Sequence, residues 1–253
     1  MTVIAAENDL STSRTPGSGD ERYTRVAIYL HWIIATLILW NLLSGFLIWD
    51  LARDFFKANR PLYGIGITLH LSSGMTVLAL TVVRIAWRLM HEPPAHAPDM
   101  RPWERHAAHF AHFLLYAGMA LMPLTGWAIL SAHPPAGSPG ALVAPSPMAS
   151  GPMASAQSAP ATPSPGGRKM QPPGIWWIIP LPTIAPIADI GREPGGVAPQ
   201  HKLHEDLVEW HEIGAYLMLA LFALHVAGAL KHQILDRQPE LQRMGWRKSK
   251  SRR

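Results

Sequence analysis

Two histidines, His211 and His225, stand fourteen positions apart in the otherwise apolar run EWHEIGAYLMLALFALHVAG. Two more lie in similar surroundings, His31 in YLHWIIATLILW and His70 in TLHLSSGMTVLAL. An imidazole in hydrocarbon is costly unless its ring nitrogens find partners, so an ionisable group inside such a run marks a candidate site. Fourteen residues of α-helix make just under four turns, which points both rings of the last run to nearly one face, roughly 21 Å apart along the axis. Imidazole can bind a metal ion, relay a proton or serve as an axial ligand to iron. The elements that carry the four rings decide among these uses.

Crossing a bilayer core takes roughly 20 mainly apolar residues. Four stretches qualify: Val26–Trp49, Gly64–Trp87, Ala107–Ser131 and Leu207–Leu230. The expected fold class is therefore all-α, a four-helix transmembrane bundle. The first stretch follows a mixed-charge, Ser/Gly-containing leader and is too long for a signal h-region, so it is expected to remain as a span. Pro123 falls inside the third, where neighbouring helices can accommodate a kink. Trp49, Trp87 and Trp127 lie near span ends, where amphipathic rings favour the interface. Of the 22 Lys and Arg residues, fifteen fall on the N-terminal tail, the connection between the second and third spans, and the C-terminal region. The opposite side has seven, and this bias places both termini in the cytoplasm.

With that orientation the four rings fall at two depths. His31 lies roughly 7 Å in from the cytoplasmic side and His225 roughly 9 Å from the same surface. His70 and His211 lie six and four residues in from the outer side. The result is two facing pairs, with the fourth span contributing to both. A zinc ion usually takes three or four protein ligands, and each level offers two. A proton relay would normally recruit Asp or Glu within the spans, and the first three have none at mid-depth. Haem needs two axial donors on opposite sides of a flat ring and otherwise an apolar slot. Gly45, Gly74, Gly126, Gly214 and Gly228 stand where a porphyrin, or a close helix, would need room.

The remaining segments bound the rest. Residues 1–21 are expected to be a disordered tail, 22–131 to hold the first three spans, and 207–253 the fourth span with a basic cytoplasmic tail. Residues 132–173 are low-complexity Pro/Ala/Ser sequence in which PMAS occurs twice, with too little apolar surface to order itself. Residues 174–206 include GIWWIIPLPTIAPIADI, apolar but broken by prolines, which is expected to lie against the outer ends of the helices with Trp176 and Trp177 at headgroup depth. The net charge of +5 would suit nucleic acid, but the positive charges flank apolar segments or sit in the tail RKSKSRR. The partner implied is membrane lipid, not nucleic acid. The chain has no cysteine, which excludes disulfides, thiolate metal sites and cysteine nucleophiles.

With these residues in place, the chain resembles the bacterial cytochrome b561 family of four-helix, di-haem b membrane cytochromes. The resemblance covers about residues 22 to 131 and 174 to 247. It rests on RYTRVAIYLHW, TLHLSSGMTVLALTVVRIAWR, HAAHFAHFLLYAGMALMPLTGW and WHEIGAYLMLALFALHVAGALKHQ, in that order. It implies two b-type haems, with His31 and His225 on the inner haem iron and His70 and His211 on the outer. It also implies a place in the bacterial cytoplasmic (inner) membrane and electron exchange among a reductant, the haems and the quinone pool. Some members oxidise superoxide at the outer face while reducing ubiquinone. The insertion at 132 to 173 departs from the family pattern. His109 and His112 match family positions but are not expected to ligate iron; packing, propionate contact, or a proton or quinone role remain open for them.

Arg84 and Arg88, at the inner end of the second span, could neutralise propionates, attract a quinone headgroup, or simply anchor the span. On the outer side Arg53, Lys57, Arg60 and Lys202 could steer an anion such as superoxide, among the acids Asp50, Asp54, Glu205 and Asp206. His91, His96, His133 and His201 are expected in loops, and His204 and His232 at span ends. Two rival functions stay open: a haem-bearing anchor subunit of a dehydrogenase or hydrogenase complex, and a haem-free protein moving metal ions or protons. The topology has a direct test, because single cysteines can be introduced into a chain that lacks them. Ser164→Cys should react with an impermeant maleimide in intact cells, and Ser249→Cys only after permeabilisation.

Overall fold

The computed structural model describes residues 23–91, 101–133, 174–193, 195–236 and 243–245, without the side chains of 50, 57 and 60. Four long helices dominate it: α1 (Arg25–Phe46), α2 (Arg60–Met90), α3 (Pro102–Ser131) and α4 (Val197–Ile234). All four are long and apolar enough to cross a membrane. A π turn over Leu47–Leu51 and a short helix over Arg53–Ala58 join α1 to α2. Residues 1–22, 92–100, 134–173, 194, 237–242 and 246–253 lie outside the described part, so the expectations for the N-terminal tail, the low-complexity insertion, His96 and the basic tail fall there.

Local chemistry sets the helix ends. Thr24 caps α1, its hydroxyl accepting from Ala27 N at 3.3 Å, and the same oxygen accepts from Trp87 Nε1 at 2.9 Å, tying the inner ends of α1 and α2 together. Proline opens both α2 and α3, where its missing N–H costs nothing. The Glu104 carboxylate accepts from Arg101 N at the start of α3. Three helices begin earlier than hydropathy alone suggested. α2 starts at Arg60 and not Gly64, α3 at Pro102 and not Ala107, and α4 at Val197, ten residues before Leu207. The added turns carry polar residues such as His201, Lys202 and Glu205, which water can solvate, so a hydropathy window does not register them. His201 is consequently on a helix and not in a loop.

Close packing runs α1 on α2, α2 on α3, and α3 on α4. The buried mid-bundle core is Ile34, Ile38 and Leu42 from α1, Val77 from α2, Met119 from α3 and Met218 from α4. One residue of this core on each helix sits midway in a seven-residue register: 31, 38, 45 on α1; 70, 77, 84 on α2; 112, 119, 126 on α3; 211, 218, 225 on α4. A seven-residue repeat keeps one face inward when helices wind gently left-handed around each other. The bundle is thus layered. Its middle layer is Ile38, Val77, Met119 and Met218, the outer layer pairs His70 and His211 with Gly45 and Gly126, and the inner layer holds His31, Arg84, His112 and His225. Gly118 and Gly214 let neighbouring helices close up, since a Cβ there would run into Met218 and Met122 respectively.

Hydroxyls within the spans bond back to carbonyls three or four residues earlier, as Thr36, Thr68, Ser73, Thr76 and Ser131 all do. No hydroxyl hydrogen is left facing lipid at those positions. The outer segment docks on the bundle through the same groups. Ile184 N donates to Ser131 Oγ at 3.0 Å, and Trp127 Nε1 to Pro182 O at 2.7 Å. Trp176 and Trp177 take left-handed backbone angles, φ 52° and 59°, in a tight turn closed by Ile175 and Ile179. Such angles cost about 1–2 kcal/mol each for residues with a Cβ. Trp176 offsets part of this by donating its N–H to Ser72 Oγ at 2.7 Å and its indole N–H to Thr76 Oγ1 at 3.1 Å. Thr76 is sixteen residues past Arg60, roughly 24 Å along α2. The tryptophan turn therefore lies level with the middle of α2, beside the Val77 layer, and not at headgroup depth as expected, because the Ser72 and Thr76 hydroxyls satisfy its polar atoms there.

Met218 is 5% exposed and reaches both Gly118 and the shared core. Met218→Ala is expected to lower unfolding free energy by about 2–5 kcal/mol, and Met218→Leu by less than about 1.5 kcal/mol. Thermal or detergent-induced unfolding of the purified protein measures both.

Candidate functional site

The four core histidines come together in two pairs. His70 of α2 faces His211 of α4 with ring centres 6.3 Å apart and planes at 67°. His31 of α1 faces His225 of α4 at 6.1 Å and 62°. Neither α1 nor α2 packs closely against α4 among the described residues, so these imidazoles reach across a wider separation than the packed helix pairs leave. All four rings are half-buried.

The outer pair is held in a symmetric way. His70 Nδ1 lies 3.0 Å from Ser44 Oγ of α1, and His211 Nδ1 lies 2.8 Å from Thr125 Oγ1 of α3. One residue on from each hydroxyl is a glycine that packs against the same ring. A Cβ built on Gly45 would sit 3.4 Å from His70 Cε1, and one on Gly126 the same distance from His211 Cε1. Trp49 packs edge-on to His70 at 5.4 Å. Of the glycines singled out from sequence, Gly45 and Gly126 serve the histidines. Gly74 lies near Asn41 Oδ1, Gly214 packs on Met122, and Gly228 has open space beside it.

The inner pair has different company. Arg84 Nη2 lies 3.3 Å from His31 Nδ1, and Arg84 Nε donates to Tyr116 Oη at 3.0 Å. The remaining nitrogen, Nη1, is buried with no hydrogen-bond acceptor. His112 stands 5.2 Å from His225, ring centre to ring centre, and donates from Nδ1 to Ala108 O at 2.7 Å. A carbonyl only accepts, so Nε2 of His112 keeps a lone pair. Between α2 and α3 at this level is an open surface groove of about 560 Å³ lined by Arg88, His109, His112 and Tyr116 on the polar side and by Ile85, Leu89 and Phe113 on the apolar side.

The ring spacings discriminate among the chemistries. A metal–imidazole bond is about 2 Å long, so two rings facing each other across one metal have centres about 6 Å apart once each ring's half-width is added. The pairs at 6.1 and 6.3 Å meet this, while His112–His225 at 5.2 Å and His133–His204 at 4.5 Å fall short. Among the described residues no three His, Asp or Glu side chains gather to hold a bare metal ion. Two donors per level, facing, suit a metal whose other ligands come from a planar macrocycle. The outer hydroxyls favour the same outcome. Ser44 donates its own hydrogen to Asn41 O at 3.2 Å and Thr125 donates to Met122 O at 2.9 Å. Each oxygen is therefore left to accept from Nδ1–H, which frees Nε2 of His70 and His211 for a metal.

Other sequence expectations are placed as well. His133 follows the end of α3 and packs on His204 of α4, a pairing that joins the outer ends of the two helices. His232 bonds Asp236 through Nδ1 at 2.7 Å, and Lys231 bridges Glu104 and Asp236, fastening α4 to α3 at the inner end. The Lys231 ammonium beside Asp236 holds its carboxyl below the usual range. Of the outer cations, Lys202 is engaged by Asp206 and Arg53 by the Trp49 carbonyl, which weakens a steering role for them. The side chains of Asp50, Lys57 and Arg60 lie outside those described. Ser44, Thr125 and Tyr116 are site residues that the sequence reasoning missed. For Ser44 and Thr125 the signal was a hydroxyl immediately before Gly45 and Gly126, glycines that stand fourteen residues beyond His31 and His112; Tyr116 had no such signal.

The profile of the family described as prokaryotic cytochrome b561 matches residues 22–247. Cytochrome b562 of Cereibacter sphaeroides is 38% identical over 104 residues, 41% of this chain and 63% of that protein. Cytochrome b561 homolog 2 of Escherichia coli is 27% identical over 123 residues, 49% of this chain and 61% of the relative. The probable superoxide oxidase CybB of Yersinia pestis is 27% identical over 112 residues, 44% and 58% respectively. The chain thus spans about three-fifths of the length of the curated relatives it matches. With four apolar helices of membrane-spanning length and a family match over most of its sequence, this chain belongs to the prokaryotic cytochrome b561 family, as a multi-pass protein of the bacterial inner membrane.

Proposed function

We propose that this protein is a di-haem b cytochrome that carries electrons across or within the inner membrane, exchanging them with the quinone pool. The observation that supports it is the pair of facing imidazoles at each level, spaced 6.3 and 6.1 Å between ring centres. His70 and His211 would hold the outer haem iron, and His31 and His225 the inner one. A bound haem supplies reversible one-electron chemistry that no side chain in the spans offers. The chain's part is to fix the rings, keep water out with the Ile38–Val77–Met119–Met218 layer, and set the electrostatics at each level.

The open groove between α2 and α3 would admit a quinone headgroup from the lipid. Phe113 and Leu89 are 66% and 83% exposed on its rim, so an isoprenoid tail can stay in the hydrocarbon. Arg88 and Tyr116 can donate to a quinone oxygen, and His112 Nε2 can accept from a quinol hydroxyl. His112 also stands beside His225, which brings such a headgroup close to the inner level. Superoxide as an outer donor draws on the name of the Yersinia relative, and no described outer cation adds support to it.

A dithionite-reduced minus oxidised spectrum with haem quantified per chain tests the proposal. Two b haems per chain are expected, falling to about one in either His211→Ala or His225→Ala and to about none in the double variant. Well-folded protein from haem-replete cells that is colourless, or that keeps both haems without His211 and His225, overturns it.

A further inference from the structure

The two levels differ in what stands behind each ring, and the difference has a direction. At the outer level both Nδ1 atoms meet a hydroxyl, Ser44 Oγ and Thr125 Oγ1, each committed to accept by its own bond to a helix carbonyl. An imidazole that donates from Nδ1 is a more basic ligand at Nε2, and a more basic ligand favours the oxidised metal. Four carboxylates, Glu205, Asp206, Glu209 and Glu212, fall within two turns of His211 on α4, of which Asp206 is paired with Lys202 and Glu205 lies against His201. Negative charge there acts in the same sense.

At the inner level no hydroxyl plays this part in the described hydrogen bonds. His31 Nδ1 instead faces the Arg84 guanidinium, a group that can only donate. An imidazole bound to iron through Nε2 keeps its hydrogen on Nδ1, so that contact must open by a turn of the flexible side chain. The guanidinium remains at this level, anchored by Tyr116 and with Nη1 lacking an acceptor. Its positive charge, whether bare or set against a propionate, favours the reduced metal. Arg88 lies one turn further on along α2.

We infer that Ser44 and Thr125 are positioning residues that hold the outer centre at the lower potential, with Arg84 holding the inner centre at the higher one, so that the bundle favours electron movement from the outer to the inner level. This rests on the di-haem reading above. With a haem held at each level, these residues would bias a bare one-electron exchange, the outer centre being oxidised as the inner is reduced, with no proton transferred.

Potentiometric titration of the purified holoprotein, followed by haem absorbance, tests it. His225→Ala, which retains the outer haem alone, and His211→Ala, which retains the inner alone, assign the two components. The outer component is expected to be the lower. Thr125→Val and Ser44→Ala should each move that component up and leave the other in place, and Thr125→Ser should restore it. Arg84→Gln should move the inner component down. The inference is overturned if the outer component is the higher, or if hydroxyl variants that keep two haems leave it unmoved. It is also overturned if Ser44→Ala and Thr125→Val both lose the outer haem, since the hydroxyls then serve retention and not tuning. Wild-type protein without haem would sink the di-haem reading itself, and haem content is measured before any titration.

Discussion

An imidazole inside a bilayer has two ring nitrogens that water does not reach, and both need partners. In this protein the requirement is met from two sides. A neighbouring helix offers a group to Nδ1, and the opposite ring is set at a distance that a single metal can bridge. At the outer level Ser44 and Thr125 supply the first kind of partner, whereas at the inner level Arg84 faces His31 Nδ1 only while the ring's hydrogen sits on Nε2. The 6.1 and 6.3 Å spacings supply the conditions for the second. The rest of the bundle can be understood as what keeps those two relations in place along one axis.

The seven-residue register is the means. It sets a histidine, a core residue and a second functional position on each helix at three successive depths, so that one helical winding aligns every layer. In the outer layer the positions in register with His70 and His211 are glycines on α1 and α3 that pack against the two rings. In the inner layer Arg84 and His112 occupy the corresponding places. A bundle with the same helices but a different register would bury these groups without partners, at a cost of several kcal/mol in total.

Much of this was legible in the sequence, and for identifiable reasons. The four spans follow from apolar length, and the two facing pairs from depth, since a helix rise of 1.5 Å per residue turns position into height. The helix ends were less legible because polar turns outside the bilayer are helical for capping and solvation reasons that hydropathy does not measure. His201 was misplaced for that reason. Gly74 and Gly214 drew attention by their closeness in sequence to His70 and His211, yet they face Asn41 and Met122. The glycines that do touch the rings, Gly45 and Gly126, belong to other helices, and only the alignment of α1 with α2 and of α3 with α4 reveals them. The same holds for Ser44 and Thr125. Across-helix partners need the register of both helices, whereas a single run shows only one.

The separation of His211 from His225 has a consequence for energy coupling. Roughly 21 Å along the axis is about two-thirds of a hydrocarbon core of about 30 Å. An electron passed between two haems held at these levels, as proposed, would therefore traverse most of the membrane's electric field. Moving one charge through the whole field is worth about 2.3 kcal/mol per 100 mV, so this transfer alone carries roughly 1.6 kcal/mol per 100 mV. If both levels hold haem as proposed, exchange between them would be electrogenic, and the membrane potential would bias its direction.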